Sequence, residues 1–367
     1  MATPATRDVA ATAGLVALAS LWGTLTRLGL EALNTYDGQS IAPVIWAQGV
    51  GCVVMGWATY HRNRAVLEQW YKPAFTMLTT GYCGSVTSYS QWVATVFEAF
   101  ANYHHYQRHG LHNVMDALTQ TAATLGVAYA AFWAGRCVGD LACLEYVEEM
   151  RRARRRGAPP KDDPDPITDY YAMDEDAKLL ARRPYLVWVD AACVVLGVAF
   201  WVGAALLCAL YAHFRHVTYA LVLSPPGALL RWQLTKLNTP RVPDAPGALR
   251  KVRRWPWGTV LANMLSIVVY CAAESGQFAG YAVGLASRGA YSIDACNALR
   301  GLQDGFCGTL STISTLIAEL VALKPPRNAF ALALFSWTAG LVVCILLLGA
   351  PWWAIGMQGG CKATPLY

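Results

Sequence analysis

The stretch GFCGTLSTISTL, Gly305 to Leu316, sits among long apolar windows, yet it carries two glycines three apart and five hydroxyl side chains. Glycine tolerates unusual dihedrals, and serial Ser and Thr compete for backbone groups, so the stretch predicts a broken helix. Broken backbone at membrane depth survives only when it is buried in protein or lines a polar cavity. The setting is a membrane: the 367 residues are 55% hydrophobic and 14% charged, against about 25% charged residues in soluble domains. That composition excludes an ordinary soluble fold, and no nucleic-acid partner is expected.

Hydropathy predicts an all-α integral membrane protein of nine transmembrane helices, near residues 10–33, 41–60, 75–103, 113–135, 185–213, 216–237, 255–273, 304–323 and 329–349. The N-terminal MATPATRD lacks the basic start and short apolar core of a secretory signal, so the first helix is expected to be retained. Lys and Arg accumulate in cytoplasmic loops. With nine spans, 22 of the 29 fall on one side, among them Arg7, Arg62, Arg64, Lys72, Arg136, the RRARRR run from Arg151, Arg250 to Arg254, Lys324 and Arg327. Arg108, Arg215, Arg288, Arg300 and Lys362 fall on the other. The N-terminus is therefore expected in the cytoplasm and the C-terminus outside. Residues 139–184, from the arginine run to KDDPDPITDYYAMDEDAK, are too charged and proline-rich to order themselves and read as a linker whose arginines meet anionic lipid.

The 11 cysteines show no CxxC or zinc spacing and read as small hydrophobes. His104, His105, His109 and His112 read as the polar, interfacial end of the third span, with metal binding the less favoured alternative. No GxxxxGK[ST] phosphate loop is present.

An internal repeat sets the architecture. GYCGSVTSYSQW, Gly81 to Trp92, aligns with Gly305 to Leu316, matching Gly81 to Gly305, Cys83 to Cys307, Gly84 to Gly308 and Ser90 to Ser314. Upstream, GTLTR at Gly23 to Arg27 matches GALLR at Gly227 to Arg231, and WAQGVG around Gln48 matches LANMLS around Asn263. Each half thus runs GxxxR helix, amide-bearing helix, glycine-hydroxyl helix and fourth helix. The third and eighth spans are an odd number apart, so the two copies are inverted. This gives repeats at 10–138 and 216–350, the linker at 139–184 and a linking helix at 185–213 that carries the chain across. Inverted repeats place ion sites near the midplane at their interface. Two crossed breaks would aim carbonyl oxygens at one point, where a cation is the natural occupant.

At these residues the chain resembles the fluoride channel family, CrcB or Fluc in bacteria, and within it the eukaryotic fluoride exporter branch FEX, in which two four-helix copies are fused through an extra helix. Gly305 to Glu319 closely approaches the family word G-F-x-G-x-x-T-T-F-S-T-F-x-x-E. The resemblance implies a passive fluoride channel in the plasma membrane, working as a single chain, with a central structural sodium ion held by backbone carbonyls. By motif position those would belong to Gly84, Thr87, Gly308 and Ser311. The family's pore asparagine matches Asn263, while Gln48 holds the equivalent place. The family's two phenylalanines correspond to Tyr89 and Trp92 in one copy and to Ile313 and Leu316 in the other, so the two routes are not equivalent. A ring edge contacts an anion as an aliphatic group cannot.

Fluoride holds its water strongly, so a selective path must replace hydration with donors. Asn263, Thr312, Ser314, Thr315 and Ser90 supply them, and Glu319 extends the stripe as a neutral or hydrogen-bonded carboxyl; alternatively these hydroxyls satisfy neighbouring helices. Arg27 and Arg231 lie inside spans and either gather anions at a vestibule or anchor a helix end. Asp116, Gln120 and Thr124 form one polar face, as vestibule wall or interhelical seam. A rival reading is a proton-coupled carrier of small cations, using Glu98, Asp116 or Glu319. An intramembrane enzyme would have only the histidine cluster for its chemistry.

Overall fold

The computed structural model describes residues 4–156, 186–238, 255–282 and 293–356. Among these residues every regular element is helical and no strand occurs. The helices are α1 (Pro4–Asn34), α2 (Ile45–Ala58), α3 (His61–Thr76), α4 (Tyr89–Ala101), α5 (Gly110–Leu141), α6 (Leu144–Arg156) and α7 (Leu186–Leu210). There follow α8 (Arg215–Thr235), α9 (Trp257–Ala282), α10 (Ile293–Gly301), α11 (Ser314–Ala322) and α12 (Pro326–Cys344), the last continuing to Ile355.

Six of the described helices are long and apolar enough to cross a membrane: Ala5–Asn34, Gly110–Glu148, Val187–Leu210, Trp257–Gln277, Ile293–Ala322 and Pro326–Ala354. α5, α7 and α12 leave most of their apolar side chains uncovered, with Val195, Leu206, Phe330 and Leu346 all exposed. Only a hydrocarbon solvent makes such a surface favourable, so the chain is a multi-pass membrane protein. The other three expected spans have identifiable reasons for weaker hydropathy. α2 has only 14 residues, the 75–103 stretch is interrupted, and α8 contains Pro225, Pro226 and buried Arg231.

Both glycine-hydroxyl stretches break as expected, and in the same way. α3 runs on through π-helical turns (Met77–Cys83) and a last α-turn (Gly84–Val86). Thr87 and Ser88 are then extended, with φ, ψ of −93°, 141° and −132°, 117°, before α4 begins. Likewise α10 continues through Leu302–Cys307 and Gly308–Leu310, and Ser311 turns extended at −85°, 162° before α11. Single-turn π-bulges loosen the helical ladder just where each strip of hydroxyls can take over its backbone groups.

Helix contacts differ between the halves. α2 and α5 meet backbone to backbone: a Cβ on Gly56 would lie 3.0 Å from the Phe132 carbonyl carbon, and one on Gly135 would lie 2.8 Å from that of Val53. Between the halves, α4 of the first packs against α9 and α12 of the second around large side chains. α7 lies along α1, where Gly14 faces Cys193 and Gly197 faces Gly14.

The linker departs from expectation. α6 orders the arginine run through Arg156 as helix, because its Glu, Met, Ala and Arg residues are strong helix formers. It is tied to α3 by the Leu144 amide on Asn63 Oδ1 at 2.8 Å and by the Trp70 indole on Glu148 at 2.9 Å. Residues 157–185, with the rest of the acidic linker, lie outside the described residues, as do Arg250 to Arg254, Arg288 and Lys362.

Candidate functional site

The site is the crossing of the two breaks. Extended backbone at Thr87–Ser88 and Ser311 leaves carbonyls at the end of one helical segment and amides at the start of the next without intrahelical partners. Each half answers the orphaned groups of the other. The Thr87 hydroxyl accepts from the Ile313 and Ser314 amides at 3.2 and 3.1 Å, capping α11. The Ser311 hydroxyl accepts from the Tyr89 and Ser90 amides at 3.1 and 3.2 Å, capping α4. Both hydroxyls donate one turn back, to Cys83 and Cys307 carbonyls.

Carbonyls are met by cations in the same reciprocal manner. Arg231, of the second half, donates through Nη1 to the Gly84 carbonyl at 2.5 Å and the Ser311 carbonyl at 3.0 Å, and through Nη2 to the Thr80 carbonyl. Arg27, of the first half, donates through Nη2 to the Asp304 carbonyl, and its guanidinium lies against Gly308. Both arginines are 1% exposed. They sit at the negative ends of helical segments, which stabilises positive charge there. Both guanidiniums are thus bonded to carbonyls at the breaks. The carbonyls of Gly84 and Ser311 converge on one nitrogen, Nη1 of Arg231.

The amides are paired across each half. Asn263 donates through Nδ2 to the Thr312 carbonyl at 3.3 Å and accepts from the Thr312 amide at 2.9 Å. Gln48 does the same with Ser88, at 2.7 and 3.3 Å. An amide NH2 carries two hydrogens, and each of these bonds uses one.

The hydroxyl run is mostly engaged within the protein. Thr312 contacts Thr87 at 3.2 Å, Ser314 at 3.3 Å and Thr315 at 3.3 Å; the Ser314 and Thr87 hydroxyl oxygens lie 3.1 Å apart, and Ser90 contacts Ser311 at 3.1 Å. Glu319 stands further along α11, accepting through Oε1 from Thr259 at 2.6 Å and from Asn238 at 2.9 Å. Asn238 in turn accepts from the Gly258 and Thr259 amides, capping α9. Asn238 and Thr259 were not foreseen; the Thr259 position, one turn before Asn263 on a helical face, was the available signal.

Tyr89 projects from α4 toward α12, with Trp92 beside it. The Tyr89 hydroxyl donates to the Ser336 carbonyl, and its ring stands edge-on to Trp92 with centroids 5.7 Å apart. Their counterparts Ile313 and Leu316 are buried aliphatic groups. The polar face on α5 is a seam: Gln120 bonds the Ser40 carbonyl and the Ala42 amide in the α1–α2 connection, while Asp116 pairs with Arg108 at 2.7 Å. The histidine cluster brings His109 and His112 into stacking, and no group of three metal-binding side chains forms among the described residues. Cys296, read only as a hydrophobe, is disulfide-bonded.

The profile of the CrcB-like protein, Camphor Resistance (CrcB) family matches residues 14–136 and 218–351. The chain belongs to this family. The two matched stretches of the CrcB-like chain contain both breaks and leave α6 and α7 between them. Fluoride export protein 1 of Candida albicans is 29% identical over 365 residues, spanning 92% of this chain and 79% of that protein. Fluoride export protein 1 of Schizosaccharomyces pombe is 27% identical, over 92% of this chain and 95% of its own. Fluoride export protein 2 of Saccharomyces cerevisiae is 24% identical, over 91% of each. No solved structure matches the chain.

Proposed function

We propose that this chain is a passive fluoride channel that exports the ion from the cytoplasm across the plasma membrane, as a single chain of nine spans with two inverted repeats. The relatives' printed names supply the substrate. The reciprocal reach of Arg27 and Arg231 supports the inversion, since a pseudo-twofold axis through the crossing produces that exchange. The disulfide at Cys296, near the start of α10, fits the side assigned to the exterior, because disulfides persist in oxidising compartments. Hydrogen fluoride enters from acidic surroundings and ionises; the membrane potential then drives the anion out with about 2.3 kcal/mol per 100 mV.

One route dominates, the seam between α4, α9 and α12 that begins at Asn263. The observation that carries this is the unlike packing of the two seams. On the Gln48 side α2 and α5 touch through Gly56 and Gly135, and Ile313 and Leu316 fill the space from α11. On the Asn263 side the same positions hold Tyr89 and Trp92, whose ring edges and polar atoms suit a partly dehydrated anion. Glu319, Thr259 and Asn238 extend the polar column beyond Asn263. In fluoride-electrode recordings of efflux from liposomes, Asn263→Ala is expected to abolish efflux nearly completely and Gln48→Ala to slow it less; the reverse ranking would assign conduction to the other route.

Sodium at the crossing is part of the same proposal. Gly84, Thr87, Gly308 and Ser311 would hold it through their carbonyls, and it would supply fixed positive charge that ties the halves together. Arg231 already draws on two of those carbonyls and competes for them.

A further inference from the structure

Conduction makes no use of α6 or of the first turns of α3, yet the two are built as one unit. Extended backbone at Tyr71, with φ −166° and ψ 100°, splits α3, so residues 61–70 form a separate helical arm ahead of the break. α6 lies against that arm. The Leu144 amide bonds Asn63 Oδ1, the Trp70 indole donates to Glu148 at 2.9 Å, and Glu145 pairs with Arg62 at 3.6 Å.

Those bonds use one face of α6. The other is apolar and exposed: Tyr146, Val147 and Met150 share a helical side at this spacing, and all three face outward. Arg151, one turn beyond Val147 and 3.8 Å from Glu148, borders that face with more than half of its side chain exposed. The helix then runs on through RRARRR to Arg156. Three Lys or Arg residues in α3 and five Arg in α6 make eight basic residues, against one Glu in α3 and three in α6.

Position in the membrane decides what covers this face. α5 has 32 residues, about 48 Å of helix, against a hydrocarbon core of about 30 Å. Its last turns therefore pass through the headgroup layer, and α6 begins three residues after Leu141, at the membrane surface. Near that end of α5 the Arg136 guanidinium stands 5.4 Å over the exposed Trp133 ring, a pairing suited to the interface. Leu141, almost fully exposed, joins the bilayer-facing side of α5 to α6. Exposed apolar groups beside a cationic run are costly in water and favourable against an anionic lipid surface.

We propose that α6, braced on the first turns of α3, is a docking surface for anionic phospholipid: Tyr146, Val147 and Met150 enter the interface while the arginines bind lipid phosphates. Arginine suits this role because its planar fork bonds two phosphate oxygens at once. Under the proposed orientation the leaflet is the cytoplasmic one, which is rich in anionic lipid. α3 leads through Met77–Cys83 into the first break, so headgroup binding steadies the arm on which the crossing is built.

Hydrogen exchange of the full-length protein in nanodiscs tests this without fluoride, so its outcome is separate from that of the channel reading. Discs holding one chain each exclude contact with a second copy. In discs of mixed phosphatidylserine and phosphatidylcholine, amides of residues 144–156 are expected to exchange about 10-fold more slowly than in phosphatidylcholine alone, the effect of roughly one to two engaged arginines. The protection should fade in about 1 M salt, where the Debye length falls to about 3 Å. A variant combining Arg151→Gln, Arg152→Gln and Arg154→Gln should lose the phosphatidylserine effect and match the unaltered chain in phosphatidylcholine. Equal exchange of the unaltered chain in both lipids would overturn the proposal. So would equal protection by inorganic phosphate added to phosphatidylcholine discs, which would assign the surface to free phosphate.

Discussion

Arg231 is the side chain on which the crossing depends most, because it binds carbonyls of both halves at once. Replacing it with methionine keeps the volume but removes a charged donor, which costs about 1.5–3 kcal/mol per bond lost. Arg231→Met is expected to lower the apparent melting temperature in detergent, and sodium, free to take the Gly84 and Ser311 carbonyls, should restore part of it where choline does not. Equal melting in both salts would argue against sodium there. The sequence exposed Arg231 by its cost within a span, and Asn263 and Gln48 by their register. What it hid was allegiance. GxxxR words do not say that each arginine serves the opposite half, and a run of hydroxyls reads alike whether it faces an ion or caps a neighbour, as Thr87 and Ser311 do.

Between helices, the contrast of the two seams is a matter of glycine placement. Gly135 lies against the α2 backbone, so Gly135→Ala must push α2 away or strain it, and overpacking of this kind costs about 1–3 kcal/mol. Gly126, on the same helix, has nothing within 4 Å of its Cβ position, and Gly126→Ala is expected to be neutral or mildly stabilising. Thermal melts of the two variants check this; equal melting temperatures would contradict the sealed α2–α5 seam. Hydropathy located these helices well, since burial in lipid demands long apolar faces. It failed on α6, where charge was taken as disorder although LEYVEEMRRARRR has high helix propensity.

Across the full chain, two halves that answer each other's broken backbone explain why a break so costly in lipid persists. The proposed inversion also predicts that equivalent ends of α1 and α8 lie on opposite faces. Cysteines introduced at Asp8 and His213, with the native thiols silenced, should differ in reach: a membrane-impermeant maleimide labels position 213 in intact cells and position 8 only after permeabilisation. Labelling of both from one face would break the inversion. The repeat was legible because glycine, cysteine and hydroxyl positions repeat in order; the unlike packing of its copies was legible only in part, since Ile313 and Leu316 show the loss of rings but not the closing of α2 on α5.

The most direct test of passive fluoride export is efflux from liposomes holding the purified chain, with equal pH on both sides and potassium plus valinomycin fixing the potential. Sustained fluoride release under voltage alone, with chloride retained, is the predicted result. Release that needs a pH gradient, or no release of fluoride at all, would contradict a channel.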